Sequence, residues 1–281
     1  MIINKKYNIK CCVFLITKSY LFDDVDFFID HYLNYCGFDH IYILDQESVC
    51  GNLKEKFKDK KSVTIDYCSD IEKNKIKWFQ SIRTTGFLNT HKNYDYCFLV
   101  DDDEYLWINK QKYKNIKEFL VFLKHNNIKQ YAIPWRMISY KSDERPYDRK
   151  QPLVKDCFYL EKESIPSKNI PFKTLINPVY VSSNEKYNMT HYIRDIDICY
   201  SYNKYIFNSF VIPEIDYNYE DLILYHYRYK SYKEFNMNLL RCDISNTTHS
   251  VKDIKLLYDG QRYFNEINDY EIYLNPFNIT L

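Results

Sequence analysis

The sequence predicts an α/β protein with a central, mostly parallel sheet flanked by helices, and three observations carry that prediction. Apolar runs of strand length alternate with amphipathic stretches of helical period through the first half of the chain. The leading run has no alternating polar face, as expected of a strand buried on both sides. Three of these runs end in polar groups, and right-handed crossovers would bring those ends to one edge of the sheet.

Residues 9–17, IKCCVFLIT, read as the first strand. Leu21, Val25, Phe28, Ile29, Tyr32, Leu33 and Cys36 then fall on one stripe of a helix. Asp23 or Asp24 is the expected N-cap and Gly37 the expected stop. HIYILD (40–45) and SVTIDY (62–67) read as strands, 74–92 as a less regular helix, and YCFLVD (96–101) as the next strand. NIKEFLVFLKHN opens on a capping-box pattern, Asn115 with Glu118, and YAIPW (131–135) returns to strand. The second half is less regular. Residues 139–172 are polar and proline-bearing and read as loops, KTLINPVYV (173–181) as a strand, and SYKEFNMNLLRC as a helix with a second capping box, Ser231 with Glu234. No internal repeat or linker interrupts the chain. The expectation is one domain over 1–281, with 139–281 carrying acceptor-side loops and a C-terminal helical lobe.

Composition narrows the function. A formal net charge of +1, from 39 basic and 38 acidic residues, gives no support to a nucleic-acid-binding or polybasic membrane protein. CCVFLIT is too short to span a bilayer and lacks a signal-peptide cleavage site, so a soluble cytoplasmic chain beginning at Met1 is expected. Nine cysteines without a C-x-x-C pair, several inside apolar runs, suit buried thiols better than disulfides or zinc. The sequons at Asn188, Asn246 and Asn278 are then coincidental. The 30 tyrosines reflect a compositional bias toward Lys, Asn, Ile and Tyr, as from an AT-rich genome, and are not by themselves stacking platforms.

In open α/β sheets ligands bind beyond the carboxyl ends of the strands. Here those ends carry Thr17 and Lys18, Asp45, and Asp101–Glu104. The acid run contains D-x-D. In extended backbone Asp101 and Asp103 would point to one side and Asp102 to the other. Two carboxylates facing a cleft suit Mg²⁺ or Mn²⁺, which binds a diphosphate and neutralises charge on it as it leaves. A solvated acidic loop is the competing reading, and the position directly after an apolar strand favours the metal.

These residues resemble glycosyltransferase family 92 and its family 2-like relatives. DFFIDHYLNYCGFDHIYILDQES is similar to the family's helix ending in E-W-x-x-Y-H-x-x-x-G and strand ending in Y-D-N-x-S, with Asp45 at the family aspartate and Gln46 in place of the asparagine. Tyr96 to Tyr105 resembles W-x-x-x-x-D-x-D-E-F, aligning Asp101, Asp103 and Glu104. KTLINPVYV with the following THY resembles a lysine-bearing strand and downstream histidine, at Lys173 and His191. YHYRYKSYKEF is similar to N-H-Y-x-x-K-S-x-E-E-F, matching His226, Lys230, Ser231 and Phe235. The resemblance runs in order from about residue 10 to 245. The family's K-N-E after the first strand is here Lys18-Ser19-Tyr20, which removes its acid.

The resemblance implies a GT-A fold, a nucleotide-sugar donor, a UDP-sugar by expectation, a divalent Mn²⁺ or Mg²⁺, and a glycan or glycoconjugate acceptor. It implies that Asp45 meets the base or ribose of the donor, with Thr17 and Lys18 lining the same pocket; a strand-end turn residue is the bland reading of Asp45. Asp101 would contact the ribose or the metal and Asp103 would ligate the metal, with Asp102 beside them and Glu104 bracing the loop. Arg83 would hold phosphate or pair with the acids. His226 is the expected third metal ligand, with Arg228 and Lys230 behind it on the diphosphate. Lys173 is either a phosphate partner or a strand-edge charge. An inverting transfer needs a base near the acceptor hydroxyl; Asp143 and Glu144 are the candidates, with Asp148, Asp195 and Asp197 as alternatives. A nucleotidyltransferase would also use paired Asp and Mg²⁺, but needs a Gly-rich phosphate loop that a chain with four glycines does not contain. An inactive, donor-binding relative is the other rival.

Overall fold

The first strand, β1 (Cys11–Thr17), lies between two parallel neighbours and is buried along almost its whole length. This burial accounts for its unbroken apolar run. The computed structural model describes residues 8–68, 76–139, 147–148, 150, 152, 159–161, 169–182, 192–194, 196–201, 204–207, 209, 211–213, 220–227, 231, 233–234 and 270–272.

α1 (Phe22–Asp30) follows and continues as a π-helical turn, His31–Tyr35. It buries Val25, Phe28, Ile29 and Tyr32, the stripe expected from the sequence. Its N-cap is Leu21, without a side-chain cap. Asp23 and Asp24 instead lie in the first turn, where a carboxylate still complements the helix dipole. Gly37 ends the element at φ +84, a conformation that favours glycine.

β2 (His40–Asp45), α2 (Leu53–Lys56), β3 (Val63–Tyr67), α3 (Ile76–Thr90) and β4 (Tyr96–Val100) complete the parallel half. The order there is β3-β2-β1-β4. Alternate strand residues sort onto two faces. Cys11, Val13, Leu15, Ile41, Ile43, Phe98 and Val100 pack with α1 and with α4 (Ile116–His125), whereas Cys12, Phe14, Cys97 and Leu99 pack with Phe87 and Leu88 of α3. The predicted α/β class, a central and mostly parallel sheet flanked by helices, is what the chain adopts. Truncating a fully buried ring such as Phe28 would cost about 3–5 kcal/mol.

Asn115 caps α4, accepting from the backbone N–H of Lys117 and Glu118. Glu118 accepts from Lys114 N–H at 2.7 Å, one residue beyond the N-cap N–H that a reciprocal box would use.

The remaining strands complicate the sheet. β5 (Glu104–Ile108), which sequence patterning left unassigned, pairs antiparallel with β12 (Leu222–His226). β6 (Gln130–Ser139) is longer than expected. It pairs with β8 (Asn169–Ile176) up to Pro134 and with β12 from Trp135, so the proline, which lacks an N–H, sits where the strand changes partner. β8 ends at Ile176, not at 181, because Asn177 caps a 3₁₀ turn over Pro178–Tyr180. β8 lies inside the sheet, antiparallel to both β4 and β6. β7 (Tyr159–Glu161), β9 (Ile198–Ser201), β10 (Lys204–Ile206), β11 (Val211–Pro213) and β13 (Tyr270–Ile272) extend the same network. The second capping box forms, Ser231 Oγ donating to Glu234 at 2.7 Å. The stretch expected as a helix beyond Glu234 and most of the expected acceptor-side loops lie outside the described residues.

Candidate functional site

The order β3-β2-β1-β4 fixes where a ligand belongs. From β1 the chain moves outward to β2 and β3, then crosses back to place β4 on the other side of β1. The crevice between the carboxyl ends of β1 and β4 is therefore a topological switch point, the usual ligand position in such sheets. Thr17 ends β1 and the acid run follows β4. Thr17 Oγ1 donates to Asp102 Oδ2 at 2.6 Å directly across that crevice.

Beside it, the loops after β1 and β2 are tied together. Asp45 is buried at the end of β2, in register with Thr17. Its Oδ1 accepts from Ser48 N–H at 2.9 Å, Ser48 Oγ accepts from Ser19 N–H at 2.9 Å, and Gln46 N–H donates to Thr17 O at 2.7 Å. Asp45 thus serves the turn with at least one carboxyl oxygen. Ser19 and Ser48 are contributors that the sequence reading did not single out. Ser48 stands at the serine of the Y-D-N-x-S pattern, and the signal for Ser19 was its place just beyond a strand end.

The acid run corrects one expectation. Residues 101–103 are not extended; Glu104 N–H donates to Asp101 O at 3.2 Å and Asp101 N–H to Glu104 Oε2 at 2.9 Å, closing a turn. In a turn the side chains fan outward, so the rule of alternating sides does not hold, and the three aspartates meet three different partners. Asp102 takes the Thr17 hydroxyl, Asp101 Oδ2 lies 2.8 Å from Lys173 Nζ, and Asp103 Oδ1 lies 3.5 Å from His226 Nε2. Tyr32 Oη donates to Glu104 O at 2.9 Å and Tyr227 N–H to Asp103 O at 2.8 Å, fixing the second half of the turn.

Lys173 is 1% exposed, on an interior strand, so the strand-edge reading fails. Its Nζ also lies 3.6 Å from Glu104 Oε2. Burial works against its charge, but Asp101 and Glu104 outweigh burial and hold the ammonium above its usual range. Burial pushes the Glu104 carboxyl well up, and Lys173 only partly offsets this. Glu104 Oε1 has no hydrogen-bond partner among the described residues.

His226 reaches the site through pairing that spans more than a hundred residues: β12 sets His226 opposite Glu104 on β5. The Trp135 ring packs edge-on against it at 4.6 Å between centroids. His226 Nδ1 is buried without a hydrogen-bond partner among the described residues. One carboxylate and one imidazole this close suit a divalent ion that takes its other ligands from water or a diphosphate. The expected trio Asp101, Asp103 and His226 is not assembled, however. Among the described residues no group of three His, Cys, Asp or Glu side chains could hold a metal ion, and Asp101 faces an ammonium.

Of the other expected site residues, Lys18 is half-buried on the loop after β1, and Arg83 is exposed on α3. Asp143, Glu144, Asp195, His191, Arg228 and Lys230 lie outside the described residues. Asp197 is exposed. Asp148 accepts from Lys233 Nζ at 2.8 Å with Lys150 nearby, and the Lys233 bond holds its carboxyl below the usual range. No described helix is long and apolar enough to cross a membrane.

No protein-family model and no curated protein matches the chain. Solved structures do. TarS 1-349 from S. aureus in complex with UDP-GlcNAc is 11% identical, covering 93% of this chain and 76% of that one, with a TM-score of 0.42. Its complex with UDP is 12% identical, covering 92% and 72%, with a TM-score of 0.39. TarS without that truncation covers 92% of this chain and 43% of its own, at 10% identity and a TM-score of 0.38. Likenesses this distant carry no functional argument.

Proposed function

We propose that the chain is a GT-A glycosyltransferase that moves a sugar from a nucleoside-diphosphate donor, a UDP-sugar, to a hydroxyl of a glycan or glycoconjugate. The observation that carries this reading is the meeting of the ends of β2, β1 and β4 at a switch point, with Asp45, Thr17 and the acid turn side by side. The motif resemblance noted in the sequence, which rests on the same Asp45 and Asp101–Glu104 and adds the segments around Lys173 and His226, points the same way.

In this reading the nucleoside lies against Asp45 and the loop of Ser19 and Ser48. The remaining carboxyl oxygen of Asp45 accepts from a ribose hydroxyl or from uracil N3–H. Lys18 and Lys230 meet the phosphates, as does Arg83. Asp103 and His226 would hold Mn²⁺ or Mg²⁺, which supplies neutralisation of the departing diphosphate. Asp143 and Glu144 remain the candidates for taking the acceptor proton.

The test is thermal unfolding with a panel of nucleotides and UDP-sugars, UDP-GlcNAc among them, with and without Mn²⁺. A donor at a hundred times its Kd stabilises the fold by about 2.7 kcal/mol. Unfolding entropy of about 2.1 cal/mol/K per residue gives about 0.6 kcal/mol per degree for 281 residues, hence a shift of about 4–5 °C. Asp103→Asn should remove the Mn²⁺-dependent part. No shift with any donor, from folded protein, would end the reading. A shift without sugar transfer to any acceptor would identify an inactive, donor-binding relative.

A further inference from the structure

With 30 tyrosines in the chain, exposure alone singles out none of them. Tyr67 is set apart by register. Alternate residues of a strand share a face of the sheet. Val13 and Leu15 of β1, Ile41 and Ile43 of β2, and Val63 and Ile65 of β3 all pack in the core that α1 covers. The same alternation carries Thr17, Asp45 and Tyr67 onto that face. Thr17 pairs with Asp45 and Asp45 with Tyr67, so the three form one row along the carboxyl edge. Thr17 and Asp45 are buried, whereas Tyr67 is 61% exposed.

The exposed ring stands on a fixed backbone. Cys68 N–H donates to Asp45 O at 2.9 Å, which carries the strand pairing past Tyr67. Tyr67 Oη lies 3.4 Å from Glu47 Oε1, and Glu47 has φ +60 in the turn after β2. A residue with a Cβ adopts that conformation rarely and at a cost, and such strain gathers at binding sites. β3 is the last strand of the parallel half, so Tyr67 is the outer end of a row whose inner end, Thr17, bonds the acid turn.

We propose that Tyr67 is the platform on which the base of a nucleoside diphosphate stacks. This rests on the nucleotide-sugar reading for the class of ligand; the choice of residue rests on the row. A planar base covers the face of a tyrosine ring and draws on dispersion and stacking that solvent does not supply. With the base there, the pentose falls beside Asp45 and the phosphates toward the acid turn beyond Thr17. That is the order in which a nucleoside diphosphate carries its parts, and neighbouring strands about 4.8 Å apart set the spacing. A sugar ring of the acceptor could also stack on tyrosine, but it must reach the reacting centre, and Tyr67 stands at the end of the row farthest from the acid turn.

The experiment titrates UDP, GDP, ADP and CDP into the full chain by calorimetry with Mn²⁺ present, and carries the tightest of them into the variants. Tyr67→Phe keeps the ring and should bind within about twofold of the parent. Tyr67→Ala and Tyr67→Leu should each bind at least about fivefold more weakly, the low end of what stacking a base supplies. Inorganic pyrophosphate, which has no base, should bind all four proteins alike. In the proton NMR spectrum the base protons of the bound nucleotide should lie upfield in the parent and in Tyr67→Phe, and lose that shift in Tyr67→Leu. A tyrosine serving only the turn through Glu47 would make Tyr67→Phe as damaging as Tyr67→Ala, and that result would overturn the platform. So would full nucleotide affinity in Tyr67→Ala, an equal loss for pyrophosphate, a defect felt only in the acceptor's KM, or a parent that binds no nucleoside diphosphate. Sugar transfer by a Tyr67→Ala variant of undiminished nucleotide affinity would sink the platform and leave the glycosyltransferase reading intact. The expected affinities in a protein that transfers sugar from no UDP-sugar would do the reverse.

Discussion

Thr17→Val is the change that most directly separates a hydroxyl bracing the crevice from one reserved for the donor. Valine preserves the branched shape at the end of β1 and removes only the bond to Asp102 Oδ2, 2.6 Å long. Hydrogen bonds to a charged group are worth about 1.5–3 kcal/mol. Thr17 is 2% exposed, but Asp102 is half-buried and water can replace part of the lost donor, so the lower figure, about 1.5 kcal/mol, is expected. At about 0.6 kcal/mol per degree for this chain length, the midpoint falls by about 2–3 °C. Urea unfolding without ligand measures the loss, and donor titration into the same variant measures binding. A brace predicts the stability loss and, because Asp102 is no longer held, a donor affinity reduced only severalfold. Stability unchanged within about 0.3 kcal/mol, together with a tenfold or greater loss of donor affinity, would refute the bracing role and make Thr17 a direct ligand.

Three further predictions test the scaffold. His31 is buried beneath the site, with Nε2 3.0 Å from Leu106 O, and burial lowers its pKa from 6.5 to about 3. The unfolded chain therefore takes up a proton below pH 6.5 that the folded chain refuses, so stability falls with pH between about 6.5 and 3. From pH 7 to 5 this group alone should remove about 2 kcal/mol. Chemical denaturation at the two pH values measures the loss, and it should shrink by that amount in His31→Gln; an undiminished slope in that variant would show that another group carries the dependence. Gly37→Ala would place a Cβ at φ +84 and 3.0 Å from the Cβ of Asn115, the cap of α4, and should cost about 2–3 kcal/mol. Gly86→Ala, with no atom of another element within 4 Å of the new Cβ inside α3, should instead stabilise by up to about 1 kcal/mol, both glycine changes being read by thermal unfolding.

What could be read from the sequence was what local patterning controls. The stripe through Val25, Phe28, Ile29 and Tyr32 located α1, and the apolar runs at 9–17, 40–45 and 96–100 located the central strands. The stop at Gly37 and the caps at Asn115 and Ser231 were legible because each rests on residues only a few positions apart. EYLWI was missed as a strand because its partner, LILYH, is more than a hundred residues away, and no local period announces such pairing. Lys173 was underestimated for a related reason: a lone lysine in KTLINPVYV shows neither its burial nor the two carboxylates waiting for it.

The sequence by itself determined that four acids would stand at the carboxyl end of a buried strand, beside Thr17 and Asp45, because hydrophobic period and crossover handedness are set along the chain. Only the tertiary structure decided what each acid does. The turn at 101–104 abolished the expected alternation, the interior antiparallel strand brought an ammonium to Asp101 and Glu104, and the β5–β12 register set an imidazole against Asp103. Which partner a side chain meets depends on contacts between distant segments, and those are fixed only when the sheet closes around its core.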